Sequence, residues 1–183
     1  MDNKIKSLLL ELEKTSHIYW NIPRETGLFL NILAKTIKAK NILEIGTSNG
    51  YSGIFLAEAM SKTSGHLYTI ESHKKERFYL AQKNFKTSGL SKYITQVLGH
   101  APEAIPSHPK HFDMIFLDAT KFEYIKYLEE IIPRTKKESI IIADNINSHR
   151  KSLLPYIKKI RSLKSFSTFL YPLGSGILVS VKK

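Results

Sequence analysis

Four carboxylates stand where short apolar runs end. Glu44 closes the run from Asn41, Glu71 closes HLYTIE, Asp118 closes FDMIFLD and Asp144 closes SIIIAD, with Asn145 directly after it. Asp and Asn are common caps and turn formers, so one such acid carries little. Four in equivalent places predict a shared edge. Asp118, Asp144 and Asn145 together offer two carboxylates and an amide oxygen, with no His or Cys among them. Hard oxygen donors suit Mg²⁺, Mn²⁺ or Ca²⁺ rather than zinc, and three protein ligands leave positions open for water and substrate oxygens. The bland alternative is a turn after a buried strand. Lys121 would sit over the same edge, where a divalent cation disfavours its ammonium form and makes it a candidate base; the default is a solvated surface lysine. Glu71 is placed for a ribose, since one carboxylate accepts from two vicinal hydroxyls, or else for capping the helix that follows.

The second chemical signal is NILEIGTSNGYSG, Asn41 to Gly53, with glycines at 46, 50 and 53. A strand, a tight turn and a helix start in that order hold nucleotide-like ligands. The spacing is neither the Gly-x-Gly-x2-Gly of dinucleotide enzymes nor the Walker pattern with its Lys before Ser or Thr. A nicotinamide-dependent dehydrogenase is therefore disfavoured. The seven histidines show no metal-ligand spacing and read as surface or packing residues, with His100, at the end of the third strand, the one to watch.

These residues need a scaffold, and hydrophobic periodicity supplies one. Strands are predicted at 41–45, 66–71, 93–99, 112–118 and 139–144, the last so apolar that it belongs inside the sheet. Helices are predicted at 3–14, 24–38, 51–61, 73–87, 122–132 and 150–162. Residues 165–183 read as two strands around a Pro172 to Gly176 turn, too short for a crossover, so they pair antiparallel or diverge. Strands alternating with helices imply a parallel sheet covered on both faces, with ligands at the carboxyl ends of the strands.

At 183 residues, with 42% hydrophobic content and no linker or repeat, the chain reads as one domain, residues 1–183. No stretch has the roughly 18–20 apolar residues of a membrane span, no signal-peptide core opens the chain, and there are no cysteines. Thiolate metal sites and disulfides are thereby excluded, and a cytoplasmic location with no membrane partner is expected. A net charge of +12 favours polyanionic partners, but the basic residues are spread along the chain without a run of five.

The motifs LEIGTSNGYS (43–52), YTIE (68–71), the Gly99-to-Glu103 segment, FDMIFLDATK (112–121), IIADN (141–145) and PLGSGILV (172–179) occur in one order. In them the chain resembles the cation-dependent class I O-methyltransferases that use S-adenosylmethionine, the group of catechol and caffeoyl-coenzyme A O-methyltransferases. The resemblance runs from about Trp20 to the C-terminus. It implies a Rossmann-like α/β fold: a seven-stranded, mostly parallel sheet with an antiparallel C-terminal strand and helices on both faces. It further implies that residues 1–40 are helices capping the active site. Gly46, Thr47, Ser48, Gly50 and Ser52 would cradle the methionine part of the cofactor, with Glu44 beneath. Glu71 would hold the ribose, and His100 and Ala101 would border the adenine. Asp118, Asp144 and Asn145 would bind the metal, with Lys121 as the base.

This sequence also departs from the family pattern. His100 replaces a usual Asp, and no acid occurs between Asp144 and Lys183, which argues against a catechol-type acidic clamp. The segment before the first strand is short; in the family it helps build the acceptor pocket and a homodimer. Two acceptors follow as expectations: a small phenolic or catechol-like hydroxyl compound, or a hydroxyuridine in tRNA, which some bacterial relatives methylate. A catalytically inactive cofactor-binding protein is the alternative of another class.

Overall fold

The computed structural model describes the backbone of residues 1–183 and every side chain except those of Lys74 and Lys75. The chain opens with α1 (Asn3–Glu13), α2 (Ser16–Tyr19) and α3 (Arg24–Thr36), then runs β1 (Asn41–Ile45), α4 (Tyr51–Thr63) and β2 (His66–Glu71). One wide turn (Lys74–Phe78) leads into α5 (Tyr79–Ser88), followed by β3 (Ile94–Leu98), β4 (Phe112–Leu117), α6 (Tyr124–Ile131), β5 (Thr135–Ala143), α7 (Arg150–Ser162), β6 (Phe166–Tyr171) and β7 (Ile177–Lys182).

The strands form one sheet in the order β3-β2-β1-β4-β5-β7-β6. β1 to β5 pair in parallel, while β7 is antiparallel to both β5 and β6. The sequence left two outcomes for the last strands. They pair, and β7 also inserts beside β5, so β6 becomes the edge.

Alternate residues of each inner strand feed opposite cores. Met114 and Phe116 of β4 with Ile140 and Ile142 of β5 face α1, α3, α4 and α5. Ile115, Leu117, Ile141 and Ala143 face α6 and α7. Both faces are covered, so these strands read as continuous apolar runs. α4 is buried along Tyr51–Met60. α3 lies on it closely enough that a Cβ at Gly27 would stand 2.6 Å from the Phe55 ring. Asn31 locks the pair by donating to Phe55 O and Glu58 Oε2, each at 2.7 Å.

Register then sets the site. Ile45 stands opposite Ile70 and Leu117, and Leu117 opposite Ala143. The next residue on each strand (Gly46, Glu71, Asp118 and Asp144) therefore falls in one row at the carboxyl edge. Among the described residues no helix is long and apolar enough to cross a membrane.

Candidate active site

A cleft of about 840 Å³ lies along that row. Its floor is the glycine loop. Gly46 has φ +107, and a Cβ there would stand 2.1 Å from Asp118 O, so no other residue fits this approach. The amides of Gly46 and Thr47 donate to Ile70 O at 3.1 Å each. Ser48 (φ 49) and Gly50 (φ 87) complete the turn into α4. The start of α4, whose Tyr51 and Ser52 line the cleft, thus borders it, with the Tyr51 amide taken by Asn49 Oδ1 at 3.2 Å; a helix start favours negative charge.

Two carboxylates brace this loop from different depths. Glu71 lines the cleft; its Oε2 accepts from the Ser48 amide and its Oε1 from the His73 amide, both at 2.8 Å. Glu44 is fully buried and does not line the cleft. It accepts from Ser52 Oγ at 2.5 Å and Thr69 Oγ1 at 2.6 Å, and the Thr69 hydroxyl lies 2.6 Å from that of Thr47. Burial pushes the Glu44 carboxyl up to about 7, against those hydrogen bonds. Its geometry suits support of the loop rather than contact with a ligand.

On the other side, Lys121 Nζ donates to Asp118 Oδ1 at 2.8 Å, with both side chains less than one-fifth exposed. Asp144 is 2% exposed. Burial, then the Asp118 charge, raises its carboxyl well above the usual range, with the Asn145 amide and Lys121 pulling back. Asp144 Oδ1 and Asn145 Oδ1 are both buried with no hydrogen-bond partner among the described residues. An orphaned carboxylate oxygen and an orphaned amide oxygen beside a second carboxylate, Asp118, are the chemistry of a hard-cation site, since a buried polar atom left without a partner is costly. Among the described residues no three of His, Cys, Asp and Glu cluster for a metal; this set depends on the amide of Asn145. Asn145 is itself held at φ 65, and the chain after it is tied to the β6–β7 turn by Ile146 N–H to Gly176 O and Asn147 N–H to Ser175 O, each 2.9 Å.

His100 and Ala101 line the far end. The His100 ring meets Glu123 Oε2 at 3.0 Å, and Tyr127 donates to the same oxygen at 3.0 Å. Burial alone would raise the Glu123 carboxyl, but these partners hold it below its ordinary value. Periodicity hid Glu123 and Tyr127, which look like ordinary members of a helix. His73 and His149, read from sequence as surface or packing residues, also line the cleft, as do Tyr19, Trp20 and Arg77. Only Trp20, the single tryptophan next to a turn-forming Asn-x-Pro, left a trace in the sequence.

Residues 2–161 match the sequence model of the O-methyltransferase family. The chain belongs to that family. It is 39% identical to a catechol O-methyltransferase of Niastella koreensis over 66% of its own length and 55% of that protein's. It is 33% identical to a caffeoyl-CoA O-methyltransferase of Medicago sativa, over 91% and 71% of the two chains. It thus spans just over half the length of the catechol O-methyltransferases it matches, 55% and 56%. A Bacillus cereus O-methyltransferase, solved in complex with SAH, superimposes with a TM-score of 0.86 at 23% identity, covering 100% of this chain and 92% of that one. That likeness establishes the Rossmann-like methyltransferase fold.

Proposed function

We propose that this O-methyltransferase is divalent-cation-dependent and moves a methyl group from S-adenosylmethionine to a hydroxyl of a small phenolic or catechol-like acceptor. The observation that carries the reading is one cleft with two unlike halves. The glycine loop and Glu71 suit a nucleoside with a charged tail. The orphaned Asp144 Oδ1 and Asn145 Oδ1 beside the Asp118–Lys121 pair suit a hard cation. The relatives named for catechol and caffeoyl-CoA support the acceptor class.

Methyl transfer from a sulfonium to oxygen is an in-line displacement: the S–CH₃ bond breaks, the O–CH₃ bond forms, and the hydroxyl proton must leave. In this reading Glu71 orients the ribose, and the start of α4 faces the carboxylate of the methionine part. Asp118, Asp144 and Asn145 would hold Mg²⁺, Mn²⁺ or Ca²⁺; when bound, such a cation supplies Lewis acidity that lowers the pKa of an acceptor hydroxyl. Lys121 Nζ, kept in place by Asp118, takes or shares that proton. The buried Tyr127 and Ala101 wall the far, adenine end of the cleft.

A second acceptor, a hydroxyuridine in tRNA, is favoured by Phe122. It is 72% exposed and directly follows the cleft-lining Lys121, on a chain of net charge +12. An exposed aromatic beside a reactive cleft suits stacking on an unpaired base. Label transferred from S-adenosylmethionine to catechols but not to bulk tRNA is the expected result. Label in tRNA alone would replace the first reading with the second. Binding of S-adenosylhomocysteine with no transfer to any acceptor would favour an inactive binding protein.

A further inference from the structure

The single tryptophan of the chain stands at the mouth of the cleft. Trp20 is 73% exposed, lines the cleft and sits in the left-handed region, φ 54 and ψ 44, at the end of α2. A bulky residue there is an outlier that its surroundings must hold in place. They do so from three sides. The amides of Trp20 and Asn21 both donate to Ser16 O. Asn21 Nδ2 reaches Leu12 O at the end of α1, 3.1 Å away. From the glycine loop, Ser48 Oγ donates to Tyr19 O at 2.8 Å.

The indole so presented is largely open to solvent. Its face is covered by the Arg77 guanidinium, whose Cζ lies 4.9 Å from the ring centroid. Arg77 belongs to the opposite bank, in the segment that follows Glu71. That segment opens with a wide i→i+5 turn closed by Phe78 N–H to His73 O at 3.0 Å, a form often found at functional sites. Ser48 and Glu71, joined by their 2.8 Å hydrogen bond, tie the two banks together below. The Trp20–Arg77 contact is thus a second bridge between the same banks, made by side chains alone.

We infer that Trp20 and Arg77 form a clasp over the Glu71 end of the cleft and set how fast a nucleoside ligand leaves it. The inference rests on the reading that S-adenosylmethionine and its product bind at Glu71. An exposed cation–π contact is weak and parts readily; the same contact strengthens when a ligand beneath it excludes water. The clasp therefore opposes exit more than entry.

Trp20 is its own reporter, because no other tryptophan contributes. With S-adenosylhomocysteine as the probe, stopped-flow fluorescence of the wild type should show a change on binding. Arg77→Ala should raise the dissociation rate about tenfold, the weight of a partly desolvated cation–π contact, with a much smaller change in association rate. Arg77→Lys should fall between them, and the melting temperature of the free protein should not move. Trp20→Ala, followed with radiolabelled probe, should match Arg77→Ala, and the double variant should be no faster than either single one. Equal dissociation rates for wild type and Arg77→Ala overturn the clasp, as does a double variant whose effect is the product of the two. If calorimetry finds no binding of the probe to the wild type, the cofactor reading fails and takes the clasp with it. If the probe binds and the rates are equal, the clasp alone fails.

Discussion

The Glu71 carboxylate accepts a 2.8 Å hydrogen bond from the Ser48 amide, so the acid at the end of one strand shapes the loop at the end of its neighbour. Glu71→Ala removes this brace and, in the proposed reading, a ligand contact with it. S-adenosylhomocysteine affinity should fall at least about tenfold, and folding stability by about 1.5–3 kcal/mol, the usual weight of hydrogen bonds to a charged group. Calorimetry and denaturant melts read the two separately. Unchanged affinity in the variant would remove Glu71 from the cofactor site.

Lys121→Ala should lower turnover by ~10²-fold or more while leaving cofactor affinity nearly unchanged. Its partner Asp118 is then left without its counter-ion. Steady-state rates with a catechol acceptor, set beside calorimetry with S-adenosylhomocysteine, make the comparison. A variant as fast as the wild type returns Lys121 to the role of a surface cation.

Cation binding can be tested without turnover. Asp144 Oδ1 is buried and unpartnered, so Asp144→Asn relieves a desolvated charge and should raise the melting temperature of the metal-free protein. Mg²⁺ or Mn²⁺ should raise the melting temperature of the wild type by mass action and leave Asp144→Asn unmoved. The same cations should restore methyl transfer abolished by EDTA. Full activity in excess chelator, or an equal thermal shift in the variant, sinks the cation site.

Glu44 carries a pH dependence with a definite sign. Burial raises its carboxyl from 4.5 in the unfolded chain to about 7 in the fold. Between those values the folded protein binds the extra proton, so stability falls as pH rises and the full penalty is present above pH 7. The size is roughly 3 kcal/mol, taking 1.36 kcal/mol per unit. Glu44→Gln keeps the shape and should flatten the decline when denaturant melts at pH 5 and pH 8 are compared. Equal slopes in both proteins would show that Glu44 does not titrate in this range.

Much of this was legible because period and punctuation agreed. β1 and β2 run over the predicted residues, each a short apolar run. The predicted row of acids holds for Glu71, Asp118 and Asp144, whereas Glu44 lies inside β1, which ends at Ile45, and is buried beneath the loop while Gly46 takes its place at the edge. β5 begins at Thr135, which pairs with Phe112, rather than at Ser139; Lys136 to Glu138 are polar and exposed and the register shifts across them before pairing resumes at Ile140, and a strand start ahead of such an irregularity is invisible to a hydropathy pattern. The insertion of β7 between β5 and β6 was also out of reach, because strand order depends on which edge is free. The helix foreseen at 73–87 opens with a wide turn, and α2 is too short to show a period. Pairs such as Trp20 with Arg77, or His100 with Glu123, join residues far apart in sequence and leave no local mark. The glycine at 46 announced a turn, but only the fold shows that it is the carbonyl of Asp118 that forbids a side chain there.

The placement of β7 has a consequence for biosynthesis. Asn145 is held by a segment whose amides bond to Ser175 and Gly176, and β7 pairs with β5 along Ile140 to Ala143. Both partners are translated well after the glycine loop and Glu71. In the proposed reading, the residues of the nucleoside half are therefore all made before the strand that walls the cation half, which is complete only when β7 takes its place between β5 and β6. The order of synthesis separates the two halves in time.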